Sequence, residues 1–322
     1  MHYILLIFII VSSCDSSSES TQPLLEGITV AGGNGIGSAS NQFFNPSDIV
    51  FDKLDNMYVV DTHNHRIQKW APGASEGVTI CGGNGKGSAP NQLNAPYAIT
   101  IDNLGSIYIA DNGNHRVQKW ESGVYEGYTV AGGNGTGFNL NQLYHPYGVA
   151  LDVYGNLYVA DNANHRVQQW TPGASDGITI AGGNGRGSME NQLSNPNDIT
   201  LDNFGNLFVL DTYNYRIQKW DNGDKRGSTV AGNNGKGIGL NQFDYPRDIL
   251  IKDNSLFIVE RDNHRVQKWL PNATKGITVA GGNGKGSSPN QFDSPYGIAF
   301  DSYGNLYVAD YHNHRIQKWI ID

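Results

Sequence analysis

Tyr158-Val159-Ala160-Asp161-Asn162-Ala163-Asn164-His165-Arg166-Val167-Gln168-Gln169-Trp170 holds two short runs of strand-forming residues around a polar tight turn. The first run, 157–161, is apolar on successive residues instead of alternating, as a strand covered on both faces requires. Upstream, residues 147–152 read as another strand, followed by a turn through Gly155. Downstream, Pro172-Gly173 opens a loop that leads to a fourth strand at 178–181. The unit is therefore a four-stranded antiparallel sheet built from adjacent segments.

The same unit recurs along the chain. Tryptophans stand at Trp70, Trp120, Trp170, Trp220, Trp269 and Trp319, a spacing of 50 residues broken once by 49. Pro46, Pro96, Pro146, Pro196, Pro246 and Pro295 keep the same register. Periods of 40 to 50 residues with four strands each mark radially stacked blades, which leave only short, protected sheet edges. The predicted fold class is all-β: a six-bladed β-propeller with four-stranded blades. The tract opens at Gly27 with a fourth-strand segment and ends after a third strand. The N-terminal strand is therefore expected to join the C-terminal blade and close the ring, removing the free ends of an open array.

Composition narrows the function classes. The 322 residues include 41 glycines, without the every-third-residue period of collagen, and 17 tyrosines, 11 phenylalanines and 6 tryptophans, too much aromatic mass for a disordered chain. A net charge of −8 opposes long-range attraction to phosphate backbones or anionic lipid, so nucleic acid is not an expected partner. Two cysteines, Cys14 and Cys81, make neither a disulfide framework nor a four-ligand zinc site. Cys81 stands where the other units have alanine and reads as a small buried thiol.

Residues 4–11 form an apolar run too short to span a bilayer, followed by small residues, the pattern of an export signal. Val11-Ser12-Ser13-Cys14 resembles the lipobox of bacterial lipoproteins, which implies lipidation at Cys14. The resulting division is a signal peptide at 1–13, a flexible tether at 14–26 and the propeller at 27–322. The expected location is outside the cytoplasm, as a cell-surface or periplasmic lipoprotein or a secreted protein, with membrane contact only through the anchor at Cys14.

The segments Tyr158-Val159-Ala160-Asp161 and Asn164-His165-Arg166-Val167, with Pro146-Tyr147-Gly148-Val149 before them and Gly155-Asn156 between, resemble the NHL repeat. The likeness spans residues 28 to 320, about nine tenths of the chain. It implies the propeller fold strongly and an activity weakly, because similar proteins range from RNA- and protein-binding platforms to lyases and sugar-acid lactonases.

Each unit carries an acidic residue, Asn, an imidazole or phenol, and Arg around its tight turn, as in Asp61, Asn64, His65 and Arg66. Six near-identical copies spread round a ring cannot converge on one substrate, so the expected role is architectural: the carboxylate pairs with the guanidinium, and Asn takes the left-handed turn conformation. His63-Asn64-His65 and His312-Asn313-His314 lack zinc-ligand spacing. The Gly-Gly-Asn-Gly loops lack the Lys-Ser or Lys-Thr pair of a phosphate loop and read as connections between blades.

A site is expected where the units differ. Two residues after the repeated proline stand Asp48, Ala98, Gly148, Asp198, Asp248 and Gly297, and one residue after it stand Ser47, Tyr97, Tyr147, Asn197, Arg247 and Tyr296, with His145 and Tyr245 just before it. In a propeller these positions rim the central channel. Asp48, Asp198, Asp248, Arg247, Tyr97, Tyr147, Tyr296 and His145 are therefore the candidate ligand-binding residues. No catalytic set is assembled. The carboxylates could take a divalent cation such as calcium through oxygen ligands, or orient a polar ligand. The expected function is a monomeric, noncatalytic binding scaffold that presents its top face and channel mouth to a protein or glycan. The alternative is a metal-dependent lyase or lactonase-like enzyme with its site at that mouth.

Overall fold

A computed structural model describes residues 26–321. The expected signal peptide, Cys14 and the expected tether up to residue 25 lie outside the described residues. Six four-stranded sheets follow one another around a ring. In the first blade the strands are Pro46–Phe51, Met57–Asp61, Arg66–Trp70 and Val78–Gly82, running from the axis outward. The sixth sheet takes Pro295–Phe300, Leu306–Asp310 and Arg315–Trp319 from the C-terminus and its outer strand, Ile28–Gly32, from the N-terminus. Ile28 pairs with Lys318 and Gly32 with Arg315, so the ring is closed by main-chain pairing, as the sequence predicts. Among the described residues no helix is long and apolar enough to cross a membrane.

The second strand explains why the blades stack. In the third blade all five residues of Leu157–Asp161 are buried, because one face meets each neighbouring blade. The core is accordingly divided into slabs between blades. Tyr58, Val60, Ile67 and Cys81 of one blade pack with Ile99, Ile107, Ile109 and Trp120 of the next. Cys81 is 3% exposed and burial pushes its thiol up, the inert state expected of it.

All six repeated acid–arginine pairs form on one face, here called the top. Asp61, Asp111, Asp161, Asp211, Glu260 and Asp310 receive the Nε–H of Arg66, Arg116, Arg166, Arg216, Arg265 and Arg315 at 2.5–2.8 Å. The other oxygen of Asp161 accepts the Tyr144 N–H at 2.7 Å, and Arg166 donates onward to the carbonyls of Phe138, Asn139 and Gln142. Each pair thus ties the loop arriving from the preceding blade to the turn of its own.

One expectation about this turn is corrected. Asn64 lies inside a short 3-10 turn, Thr62–Asn64, and the left-handed residue is His65, with φ 53°. His115, His165, Tyr215, His264 and His314 repeat that conformation at φ 51–55°. The imidazole then reaches across to the next blade: Nδ1 of His65 accepts the Ala95 N–H at 3.1 Å. His115, His165, His264 and His314 do the same for His145, Asn195, Ser294 and Asn45. These histidines are rivets between blades, with the ring proton on Nε2.

Candidate functional site

The inner strands converge on a narrow mouth at the top of the channel, lined by Ser47, Asp48, Tyr97, Ala98, Tyr147, Gly148, Asn197, Asp198, Arg247, Asp248 and Tyr296. Seven of the eight ligand-binding residues predicted from sequence therefore meet here. His145 does not; it sits on the rim against His115, with ring centroids 4.7 Å apart, and its Nδ1 faces Asn112 Oδ1 at 3.0 Å.

The three aspartates line the neck as structural and electrostatic elements. Asp48 Oδ1 accepts the N–H of Ile49 and its Oδ2 accepts that of Ile99, on the next inner strand, at 2.9 Å. Asp198 and Asp248 likewise accept the N–H groups of Ile249 and Ile298 on the strands that follow them. Each carboxylate stitches its blade to the next. In two of the other blades the inner strands approach too closely for any side chain: a Cβ on Gly148 would lie 2.7 Å from Asp198 Cα, and one on Gly297 2.6 Å from Asp48 Cα.

Burial, and then the mutual repulsion of the carboxylates, pushes Asp48 and Asp198 well above the usual carboxylate range. Burial also raises Asp248, although amide donors and the hydrogen bond with Asp198 pull it back. Like charges held together in a buried neck oppose one another's ionisation, so the trio gives up its protons at higher pH than free carboxyls do. Four of its six oxygens already receive main-chain N–H groups. The trio leaves two oxygens without an amide donor, whereas calcium takes six to eight. Among the described residues no group of three or more His, Cys, Asp or Glu side chains stands in a metal-holding arrangement.

Above the neck the mouth is aromatic. Tyr97 and Tyr147 lie 4.7 Å apart by ring centroid, and Tyr296 stacks on Tyr311 at 4.4 Å. Burial raises the phenols of Tyr97 and Tyr296 and pushes Tyr311 up to about 12, so all three stay neutral. The space left over is about 30 Å³, enough for a couple of waters and nothing larger. The chemistry on offer is therefore a capped channel under an aromatic, hydroxyl-bearing floor.

Sequence reasoning missed part of this surface. Arg247 lies between the rings of Tyr245 and Tyr296, 4.7 and 4.6 Å from their centroids. Arg261 also stands over Tyr245, and Arg186 over Tyr213, while the Tyr213 and Tyr245 hydroxyls share a hydrogen bond. The available signal was departure from the repeat: Tyr213 and Arg261 occupy turns that carry small or polar residues in most other blades.

The family model described as NHL repeat matches residues 43–70, 93–120, 143–170 and 292–319, four of the six blades. The chain is an NHL-repeat propeller. The remaining two blades hold Tyr215 in place of histidine, and Glu260 with Arg261 in place of Asp and a small or polar residue. No curated protein matches the chain. Among solved structures, the NHL propeller is similar to a protein of unknown function from Bacteroides thetaiotaomicron: 18% identity, TM-score 0.69, over 92% of this chain and 76% of that one. It is similar to an auxiliary nutrient binding protein from Bacteroides ovatus, at 16% identity and TM-score 0.67, over 94% of this chain and 78% of the other. A virginiamycin B lyase from Staphylococcus aureus matches at 17% identity and TM-score 0.59, over 92% and 99%. At these identities the likeness carries the fold alone.

Proposed function

We propose that this NHL propeller is an exported, noncatalytic binding protein that holds a protein or glycan ligand on its top face, over the channel mouth. The observation that carries this reading is the capped neck. The three aspartates are committed to main-chain N–H groups and to one another, and about 30 Å³ remains above them. A lyase or lactonase-like reaction in the channel would need room for a substrate beside those carboxylates. Tyr97, Tyr147, Tyr296 and Arg247 instead form a surface of phenols and one guanidinium, suited to contact and orientation. The apolar run at 4–11 with Cys14 supports export and anchoring.

The test is native mass spectrometry and elemental analysis of the intact protein purified without chelator. The expected result is a bound organic ligand, or one found by thermal-shift screening, whose effect is lost in Tyr97→Ala and Tyr147→Ala. One tightly held divalent ion per chain, released by changing Asp48, Asp198 and Asp248 to Asn, would overturn the reading in favour of the enzyme. Fractionation of the same cells tests anchoring: membrane association that survives Cys14→Ser removes the lipid from the proposal.

A further inference from the structure

Ten arginines are present in a chain of net charge −8. Six are spent on the turn carboxylates, and Arg226 pairs with Glu190 on the open surface at 3.6 Å. The other three, Arg186, Arg247 and Arg261, all lie against the tyrosines of one sector of the top face. Arg186 stands 5.6 Å from the Tyr213 ring, Arg261 5.5 Å from Tyr245, and Arg247 under 5 Å from both Tyr245 and Tyr296.

Stacking orders a guanidinium while leaving its N–H edge free for an acceptor in its plane. Neutralisation within the sector is slight. Asp262 approaches Arg261 Nε only to 3.6 Å, and Asp244 is drawn to Lys236. Arg186 Nε donates to Ser194 Oγ. Buried Nε atoms of Arg247 and Arg261, and Nδ2 of neighbouring Asn197, find no hydrogen-bond acceptor among the described residues. Buried donors without partners are rare in native proteins and expensive, most of all on charged groups. Three of them in one sector, beside phenol rings, describe a surface built around an anion.

The geometry points to a carboxylate-recognition site in this sector, formed by Arg186, Arg247 and Arg261 with Tyr213, Tyr245 and Tyr296, whose ligand is the uronic acid unit of an acidic glycan. This deepens the binding role proposed above and rests on it. A uronate presents, on one rigid ring, a planar carboxylate for the guanidinium fork and a C–H face for a phenol. Tyr213, 40% exposed, is the platform for that face. An Asp or Glu side chain of a protein partner brings the carboxylate on a flexible stem with no ring to stack, so it uses half of what the sector offers.

The experiment is isothermal titration of the full chain with trigalacturonate, with maltotriose as the neutral trisaccharide and with a short polyglutamate peptide. Trigalacturonate is expected to bind, to weaken as salt rises, and to weaken about tenfold or more in Arg247→Gln and in Arg261→Gln. Tyr213→Ala is expected to weaken it by a smaller factor, and Arg226→Gln to leave it unchanged. Thermal midpoints of all variants establish that each is folded. Maltotriose bound equally well, or arginine variants without effect, overturns the anion site and leaves the broader binding reading standing. Polyglutamate bound with the same arginine dependence overturns the glycan in favour of an acidic protein. If none of the three binds, the uronate site is wrong, while the ligand carried through purification still decides the broader reading.

Discussion

The most demanding single residues in this molecule are the turn carboxylates. Asp161 is fully buried and serves Tyr144 N–H, Asn164 Nδ2 and Arg166 Nε at once. Net gain from such a pair is small, because desolvation offsets most of the attraction, but breaking it strands a buried charge. Asp161→Ala is expected to cost about 3–5 kcal/mol in urea unfolding. Glu260→Asp should cost within about 1 kcal/mol, since a carboxylate stays in place and five other blades use the shorter acid. A loss under about 1 kcal/mol for Asp161→Ala would remove these pairs from the list of what holds the blades. The residue scale is also where sequence reasoning slipped. Asn and His were both available for the left-handed position, and the 3-10 turn decided between them by enclosing Asn and leaving His at φ 53°. The His Nδ1 bonds run between blades, so no pattern within one unit could announce them.

At the scale of elements, the strands were legible because each obeys a local rule repeated six times. Buried second strands read as apolar on both faces, and the closing strand was legible because the tract begins and ends inside a blade. The candidate site was only partly legible. Asp48, Asp198 and Asp248 stood out as departures from the repeat, but their work as blade-to-blade acceptors depends on how near the inner strands come at the axis. Arg186 and Tyr296 are about 110 residues apart in sequence, and the stacking of successive blades round the closed ring brings their sector together. That closure invites a test. A chain beginning at residue 34 lacks Ile28–Gly32 and bares the edge of Arg315–Trp319, with Trp319 now 1% exposed. Losing Trp319 burial alone is worth on the order of 2–3 kcal/mol, and the bare edge is a template for pairing with other chains. We expect a lowered thermal midpoint and larger species by light scattering, whereas a chain beginning at residue 26 stays monomeric. A monomer of unchanged midpoint from the shorter chain would mean the clasp contributes nothing.

Over the whole molecule, opposing sets of titrating groups govern stability against pH. Burial lowers His63, His65, His115, His145, His165, His264 and His314 below the ordinary imidazole value of 6.5. In the folded state these rings bind fewer protons than in the unfolded chain. Their contribution is therefore complete above pH 6.5 and is lost as pH falls through the lowered folded values. Asp48, Asp198 and Asp248 run the other way: with folded values raised above 3.8, they favour folding most in acid and lose that contribution as pH rises. Around the middle of the range the two sets oppose each other, so the wild-type curve alone does not separate them. The comparison that does is wild type against His165→Tyr, because the fourth blade already holds Tyr215 in the same left-handed turn at φ 52°. At pH 8 the variant lacks the acceptor for the Asn195 N–H and should be about 1 kcal/mol or more less stable. Below pH 6.5 the unfolded wild-type imidazole takes up a proton that the folded ring accepts only at its lowered value, where Nδ1 can no longer accept, so the gap should close as the aspartates affect both proteins alike. Urea unfolding at half-unit steps from pH 8 to pH 5 reads the gap directly. A gap that stays constant across that range would show that the imidazole packs against the next blade without bonding to it.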